Sequence, residues 1–149
     1  MDASTLFSIC NNAVLPFWAL LVVAPGWPWT QRLVHSALVP AVFSVVYAGA
    51  LLAADVPTDA GMGTLAGVMT LFSVPEAALA GWVHYLVFDL FVGAWEVRDA
   101  RRHGISHLAV VPALLLTLGL GPIGLALYLA IRAALRHTGS LVEEPAAAT

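Results

Sequence analysis

The chain has 149 residues, of which 60% are hydrophobic and only 10% are charged. A soluble domain of this length carries about a quarter charged residues, so this composition excludes a water-soluble globule. All six basic residues are arginines, which excludes chemistry through a lysine Schiff base, and the net charge of −3 gives no indication of nucleic-acid binding.

Apolar runs long enough to cross a bilayer core of about 30 Å predict an all-α, polytopic membrane helical bundle. We expect spanning segments over residues 5–24, 31–54, 74–100 and 106–135. Residues 61–72 are too few to span at about 1.5 Å per residue, which predicts a short interfacial or re-entrant helix. The sequence thus predicts about four transmembrane helices and one short helix in a single domain, residues 1–137. Residues 138–149 are predicted to be a disordered tail.

Prolines and caps refine these segments. Ser73 and Glu76 have the spacing of a capping box at the start of the third segment, with Pro75 in its first turn. A proline inside an apolar helix frees a carbonyl, which needs a partner from a neighbouring helix, a side chain or water. Such prolines lie at positions 16, 40 and 122, and around Pro122 the sequence GLGPIG allows close helix contact or a local break.

Arginines indicate an orientation. Those in the first and third connections place both connections in the cytoplasm and both termini outside, whereas Arg132 and Arg136 argue for the opposite orientation. The chain is expected in a bacterial inner (plasma) membrane, with membrane lipid as a partner. Assembly into a homo-oligomer is left open.

The third segment carries the candidate site. At 100° per residue, two lines of side chains run along it, rotated by roughly 140°. The first line is Trp82, Tyr85, Asp89, Gly93 and Glu96; the second is His84, Phe88, Phe91, Trp95 and Arg102.

The ionisable side chains of this segment have either a chemical or a structural interpretation. Asp89 lies near mid-span, where an unpaired carboxylate costs about 2.5–3.5 kcal/mol, so it is either a proton-transfer group or a structural hydrogen-bonding group. His84 is either a general acid or base or an interhelical hydrogen-bonding group. Glu96 is expected to pair with Arg98 or a terminal arginine, and Glu76 is first a capping residue. No cofactor is expected, and no metal site, because the spacing of His84, Asp89 and Glu96 fits no standard ligand pattern.

These residues make the chain resemble a known family. The sequence WVHYLVFDLFVGAWEVRDARR followed by GLGPIGLALYLAIR, with LPFW (15–18), VVAP (22–25) and LFSVPE (71–76) before it, is similar to a small membrane-protein family named after a plant abscisic-acid-deficient mutant. The similarity extends over about residues 13–132. Its most specific block contains Trp82, His84, Asp89, Leu90 and Phe91.

The resemblance implies a role near carotenoids, because plant members are needed to form neoxanthin from violaxanthin. The implied reaction opens a 5,6-epoxide and removes a neighbouring proton without redox change, which needs an acid and a base. We expect His84 and Asp89 to be the catalytic groups and a carotenoid-like or other isoprenoid lipid to be the substrate. The expected substrate-binding residues are Trp82, Tyr85, Phe88, Phe91, Trp95 and Glu76. A non-catalytic lipid-binding, pigment-binding or accessory protein is the alternative, and a small transporter a further one.

Overall fold

A computed structural model describes residues 1–141, and within that range the chain forms helices and no strand. The helices are α1 (Ala3–Val23), α2 (Pro28–Leu33), α3 (Leu38–Ala53), α4 (Leu65–Phe72), α5 (Pro75–Arg102), α6 (His107–Leu120) and α7 (Pro122–Arg136). The all-α prediction is therefore confirmed for the described residues. The predicted disordered tail lies largely outside them.

Helix α5 is the centre of the bundle. It packs against α1, α3, α4, α6 and α7, and it carries more buried side chains than any other helix. Pro75 begins it at a position where a missing N–H costs nothing, as predicted. Gly104, with φ +61°, turns the chain just after its end. Every other helix of the bundle except α2 is thus positioned by its contact with α5.

Among the helices of residues 1–141, α1 with 21 residues and α5 with 28 are long and apolar enough to cross a membrane. Helices α3 and α6 are apolar but have 16 and 14 residues. At about 1.5 Å per residue these are shorter than the bilayer core. Of the four predicted spanning helices, the structure thus gives two that are long and apolar enough to cross, α1 and α5.

The fourth predicted segment is not one helix, because the chain reverses inside it. Gly121 has φ +33°, and Pro122 begins α7 directly after it. A Cβ at Gly124 would overlap the backbone of Thr117, so α7 lies closely against α6. Helices α6 and α7 therefore form a helical hairpin. The second predicted segment is also divided, by a turn at residues 34–37 between α2 and α3.

The predicted capping box is wrong. The N-cap of α5 is Val74, which has no side-chain acceptor to offer. The Ser73 hydroxyl instead donates to the carbonyl of Thr70, 2.6 Å away, at the end of α4. Because α4 ends at Phe72, Ser73 belongs to that helix's C-terminus rather than to the start of α5.

Candidate functional site

One line of side chains on α5 faces its neighbours, as the helical spacing predicted. We call this line the polar face of α5, and its members are Tyr85, Asp89, Gly93 and Glu96. Gly93 allows the ring of Trp18 in α1 to approach, since a Cβ there would lie 2.7 Å from the ring. The other three side chains are directed to the α6–α7 hairpin, as the following contacts show.

Tyr85 satisfies a backbone group of the hairpin. Its hydroxyl donates to the carbonyl of Leu118, 3.2 Å away. That carbonyl belongs to the last turn of α6, and Pro122 has no N–H to donate to it. The carbonyl freed by Pro122 thus has a partner from a neighbouring helix, one of the three kinds of partner that the sequence predicts.

Asp89 lies against the reversal of the hairpin. A Cβ on Gly121 would be 2.7 Å from the Asp89 Oδ1 atom, so a residue without a side chain is needed there. The other oxygen, Oδ2, is buried and accepts no hydrogen bond within residues 1–141. Asp89 thus has one buried carboxyl oxygen that accepts no hydrogen bond from the described residues.

Glu96 is fully buried two turns further along the same face. Its Oε1 atom accepts a hydrogen bond from the Thr117 hydroxyl at 2.9 Å, and its Oε2 atom is buried without a partner in the described part of the chain. The prediction that Glu96 pairs with an arginine is therefore wrong. The physical reason is that Glu96 faces α6, whereas Arg98 faces the turn before α3.

Asp99 is the carboxylate that pairs with an arginine, and sequence reasoning gave it no role. It accepts a hydrogen bond from the Tyr128 hydroxyl, and Arg132 lies 3.2 Å from its Oδ2 atom. Asp99, Tyr128 and Arg132 are all buried. Tyr128 and Arg132 are four residues apart on one face of α7, which was the available sequence signal. This cluster holds the end of α7 against α5.

His84 and Asp89 are not brought together. His84 is exposed on the surface of α5, where its ring stacks on Phe88 with the centroids 4.3 Å apart. Phe88 and Phe91 are 55% and 57% exposed, so this second line faces outward. Trp95, further along that line, packs edge-on against Tyr128 with the ring centroids 5.5 Å apart.

The remaining predicted binding residues lie near the start of α5. The Trp82 indole N–H donates to Asn11 Oδ1 at 3.3 Å, and its ring lies 5.4 Å from the ring of Phe7 in α1. Glu76 is half-buried in the first turn of the helix. Neither residue contacts Asp89, so their predicted roles in substrate binding stay predictions.

A cavity of about 390 Å³ lies on a third face of α5, toward α3. Apolar side chains line most of it, and His35, Ser36 and Arg98 lie at one end. Sequence reasoning missed His35, because only the fold brings the turn before α3 to the end of α5. We call this space the His35 cavity.

The histidines and acidic side chains of the bundle are dispersed rather than clustered. Within residues 1–141, no three histidine, cysteine, aspartate or glutamate side chains lie together in a way that would hold a metal ion. His103 Nδ1 lies 2.9 Å from the carbonyl of Asp99, and His107 Nε2 lies 2.9 Å from that of Val22. These two histidines are thus engaged with separate backbone groups.

Comparison with known proteins decides the family. The model of the family described as ABA DEFICIENT 4-like matches residues 5–128. The chain belongs to the ABA DEFICIENT 4-like family. The match includes the polar face of α5, His84, Gly121 and the His35 cavity. The family resemblance inferred from the sequence is therefore confirmed.

A curated relative of the chain is "Protein ABA DEFICIENT 4, chloroplastic" of Arabidopsis thaliana. It is 29% identical to the chain over 118 residues, which cover 70% of this chain and 54% of the relative. The chain thus spans about half the length of that relative. No solved structure matches the chain.

Proposed function

We propose that the chain is a membrane protein that isomerises a carotenoid-like or other isoprenoid lipid by proton transfer, with Asp89 as the proton-transfer group. Family membership supports the substrate class, since the resemblance links plant members to the formation of neoxanthin. The apolar helices α1 and α5 support a site within a membrane. The observation that carries the role of Asp89 is its buried Oδ2 atom, which has no partner in the described residues and lies beside the Gly121 reversal.

The proposed reaction balances without a cofactor. The epoxide bond between oxygen and C6 breaks, the oxygen stays on C5 and gains a proton from the acid, and C7 loses a proton to the base. An allene and a tertiary alcohol result, and no electrons are exchanged with another molecule. Asp89 in its protonated form supplies the acid.

The base has two candidates on α5. His84 is the sequence-based candidate, and it lies on the exposed aromatic line. Glu96 lies on the same face as Asp89, about 10 Å along the helix, and also has an unused buried oxygen. If His84 is the base, His84→Leu reduces turnover as strongly as Asp89→Asn, and Glu96→Gln does not. If Glu96 is the base, Glu96→Gln causes the strong reduction and His84→Leu does not.

The test measures turnover of violaxanthin by the purified chain in lipid nanodiscs, with products separated by chromatography. We expect Asp89→Asn to reduce turnover by about 100-fold or more, the usual contribution of a general acid or base. Asp59→Asn, at an exposed aspartate in the connection after α3, is the matched control and should retain activity. Asp89→Asn protein that is folded and as active as the wild type would overturn the proposed role.

A second candidate is a carotenoid-binding or accessory protein without turnover. The His35 cavity favours it, because its volume is that of a small-molecule site and its lining is mostly apolar. Under this alternative, the purified chain retains bound carotenoid, no product forms, and Asp89→Asn leaves the bound amount unchanged.

A further inference from the structure

The His35 cavity has an unsatisfied hydrogen-bond donor at its polar end. Arg98 Nη1 lies 2.9 Å from His35 Nδ1. A guanidinium has donors only, so Nδ1 accepts, and the proton of the neutral ring is on Nε2. Nε2 is buried and has no hydrogen-bond partner in the described residues. Buried donors are rarely left unused, which indicates that an acceptor binds here.

We propose that the His35 cavity binds the oxygenated end of an isoprenoid lipid, with His35 Nε2–H donating to a hydroxyl, epoxide or carbonyl oxygen of that end. This inference rests on the binding part of the proposed function. It does not depend on turnover, because the cavity residues Val87, Phe91 and Arg98 lie on the side of α5 opposite the polar face.

The size of the cavity fits one end of a long ligand. Its volume of about 390 Å³ lies near the lower limit of small-molecule pockets, which suits a substituted ring. Phe91 lines the cavity and is also 57% exposed, so the cavity reaches the outer surface of α5 at this side chain. The polyene chain of the ligand leaves the cavity there.

A second apolar space continues beyond Phe91. It measures about 230 Å³ and is lined by Phe91, Val92, Trp95, Leu125, Leu129 and Leu141. Since Phe91 lines both spaces, an extended hydrocarbon chain that leaves the first cavity meets the second on the other side of this ring. The pair of spaces thus fits a long apolar molecule with one polar end.

The donor that His35 offers to the ligand is neutral, and the Arg98 guanidinium lines the same end of the cavity. Burial, with the nearby charges of Arg98 and Arg101, lowers the pKa of His35 to about 4, so the ring is uncharged at neutral pH. A neutral N–H donor matches a hydroxyl or epoxide oxygen. An anionic lipid is the competing occupant, and the experiment below includes one.

The test compares binding of zeaxanthin and β-carotene, which differ only in the ring hydroxyls, to the full chain in nanodiscs. We expect the wild type to prefer zeaxanthin by roughly three- to tenfold, the effect of one net hydrogen bond. His35→Leu should abolish this preference by weakening zeaxanthin binding alone. His35→Gln, which keeps an N–H donor, should retain part of it and serves if His35→Leu fails to fold.

A volume test makes the location falsifiable. Ala94 is buried and lines the cavity, so Ala94→Leu should weaken binding of both carotenoids; Ala126→Leu, at an exposed position of α7, is the matched control and should not. Three results overturn the inference and leave the proposed function intact. They are a zeaxanthin preference that persists in His35→Leu, equal binding of the two carotenoids by the wild type, and unchanged carotenoid binding by Ala94→Leu. Displacement of zeaxanthin by palmitate at lower concentrations than by β-carotene assigns the cavity to an anionic lipid and also overturns it. Failure of the wild type to bind either carotenoid overturns the inference and, within the proposed function, the carotenoid-like substrate.

Discussion

Asp89 and His35 each keep one buried polar atom without a partner among the described residues. Leaving such an atom unsatisfied costs about 1–3 kcal/mol, and most buried polar groups in proteins avoid it. Glu96 and Arg132 also have buried polar atoms without a hydrogen-bond partner in this part of the chain, whereas Tyr85 satisfies the carbonyl of Leu118 and Thr117 satisfies one oxygen of Glu96. Among these unsatisfied atoms, only His35 Nε2 belongs to a residue that lines the His35 cavity.

The neutral state of His35 gives a prediction for the pH dependence of stability. Its pKa is about 4 in the folded protein and 6.5 as the ordinary value, because burial and the charges of Arg98 and Arg101 disfavour the protonated ring. The stability that depends on the neutral ring is complete above pH 6.5 and is lost as the pH falls toward 4. We expect the melting temperature of the wild type to fall more over this range than that of His35→Leu. Parallel curves for the two proteins would contradict this.

At the scale of elements, the α6–α7 hairpin determines the environment of the polar face. Gly121 and Pro122 reverse the chain at the level of Asp89, and the Asp99–Tyr128–Arg132 cluster holds the other end of α7. The hairpin reaches only half the length of α5, because its reversal lies beside Asp89 rather than at the start of α5.

The close contact within the hairpin predicts opposite effects for two glycine substitutions. Gly124→Ala should destabilise the protein by about 1–3 kcal/mol or more, because the added Cβ would overlap the backbone of Thr117. Gly119→Ala is the matched control: nothing lies within 4 Å of the added Cβ, and alanine in a helix is favoured over glycine by about 0.5–1 kcal/mol. Thermal unfolding in detergent measures both. Equal effects of the two substitutions would contradict the close contact.

The sequence predicted the helical class, the approximate segments and the two lines of α5, because these depend on composition and on helical period. It left a local break at GLGPIG open but predicted a single spanning segment there, because the contact of Gly121 with Asp89 on α5 exists only in the folded chain. It also missed His35 and the Asp99 cluster, whose members are far apart in the chain and meet only after folding.

At the scale of the whole molecule, the six arginines lie at one end. Arg32 is in the first connection, where Gly26 lies close to the Arg101 side chain. The Arg136 side chain donates to the carbonyl of Gly104, just after α5. Asp55, Asp59 and Glu76 lie at the opposite end, in the connection after α3 and at the start of α5. The arginines that argued for opposite orientations in the sequence are brought to the same end by the hairpin. For a chain that spans a membrane, positive-inside bias predicts that this whole end faces the inner side.

The hairpin changes the predicted topology. If the shorter α3 crosses together with α1 and α5, residue 59 and the chain after α7 lie on opposite sides of the membrane, whereas four crossings would place both on the same side. Asp59→Cys and Gly139→Cys, each in a Cys10→Ser background, test this with a membrane-impermeant maleimide. We expect labelling at 59 in intact cells and at 139 only after permeabilisation. Labelling of both in intact cells would restore four crossings.

The central claim is that this chain binds an isoprenoid lipid, and direct extraction tests it. The chain is purified in mild detergent from a carotenoid-producing host, its absorption spectrum is recorded, and the extracted lipids are identified by mass spectrometry. We predict a polyene or other isoprenoid bound in near-stoichiometric amount in the wild type and depleted in Ala94→Leu. Wild-type protein that is folded and carries no isoprenoid above the level of the detergent blank would contradict the account.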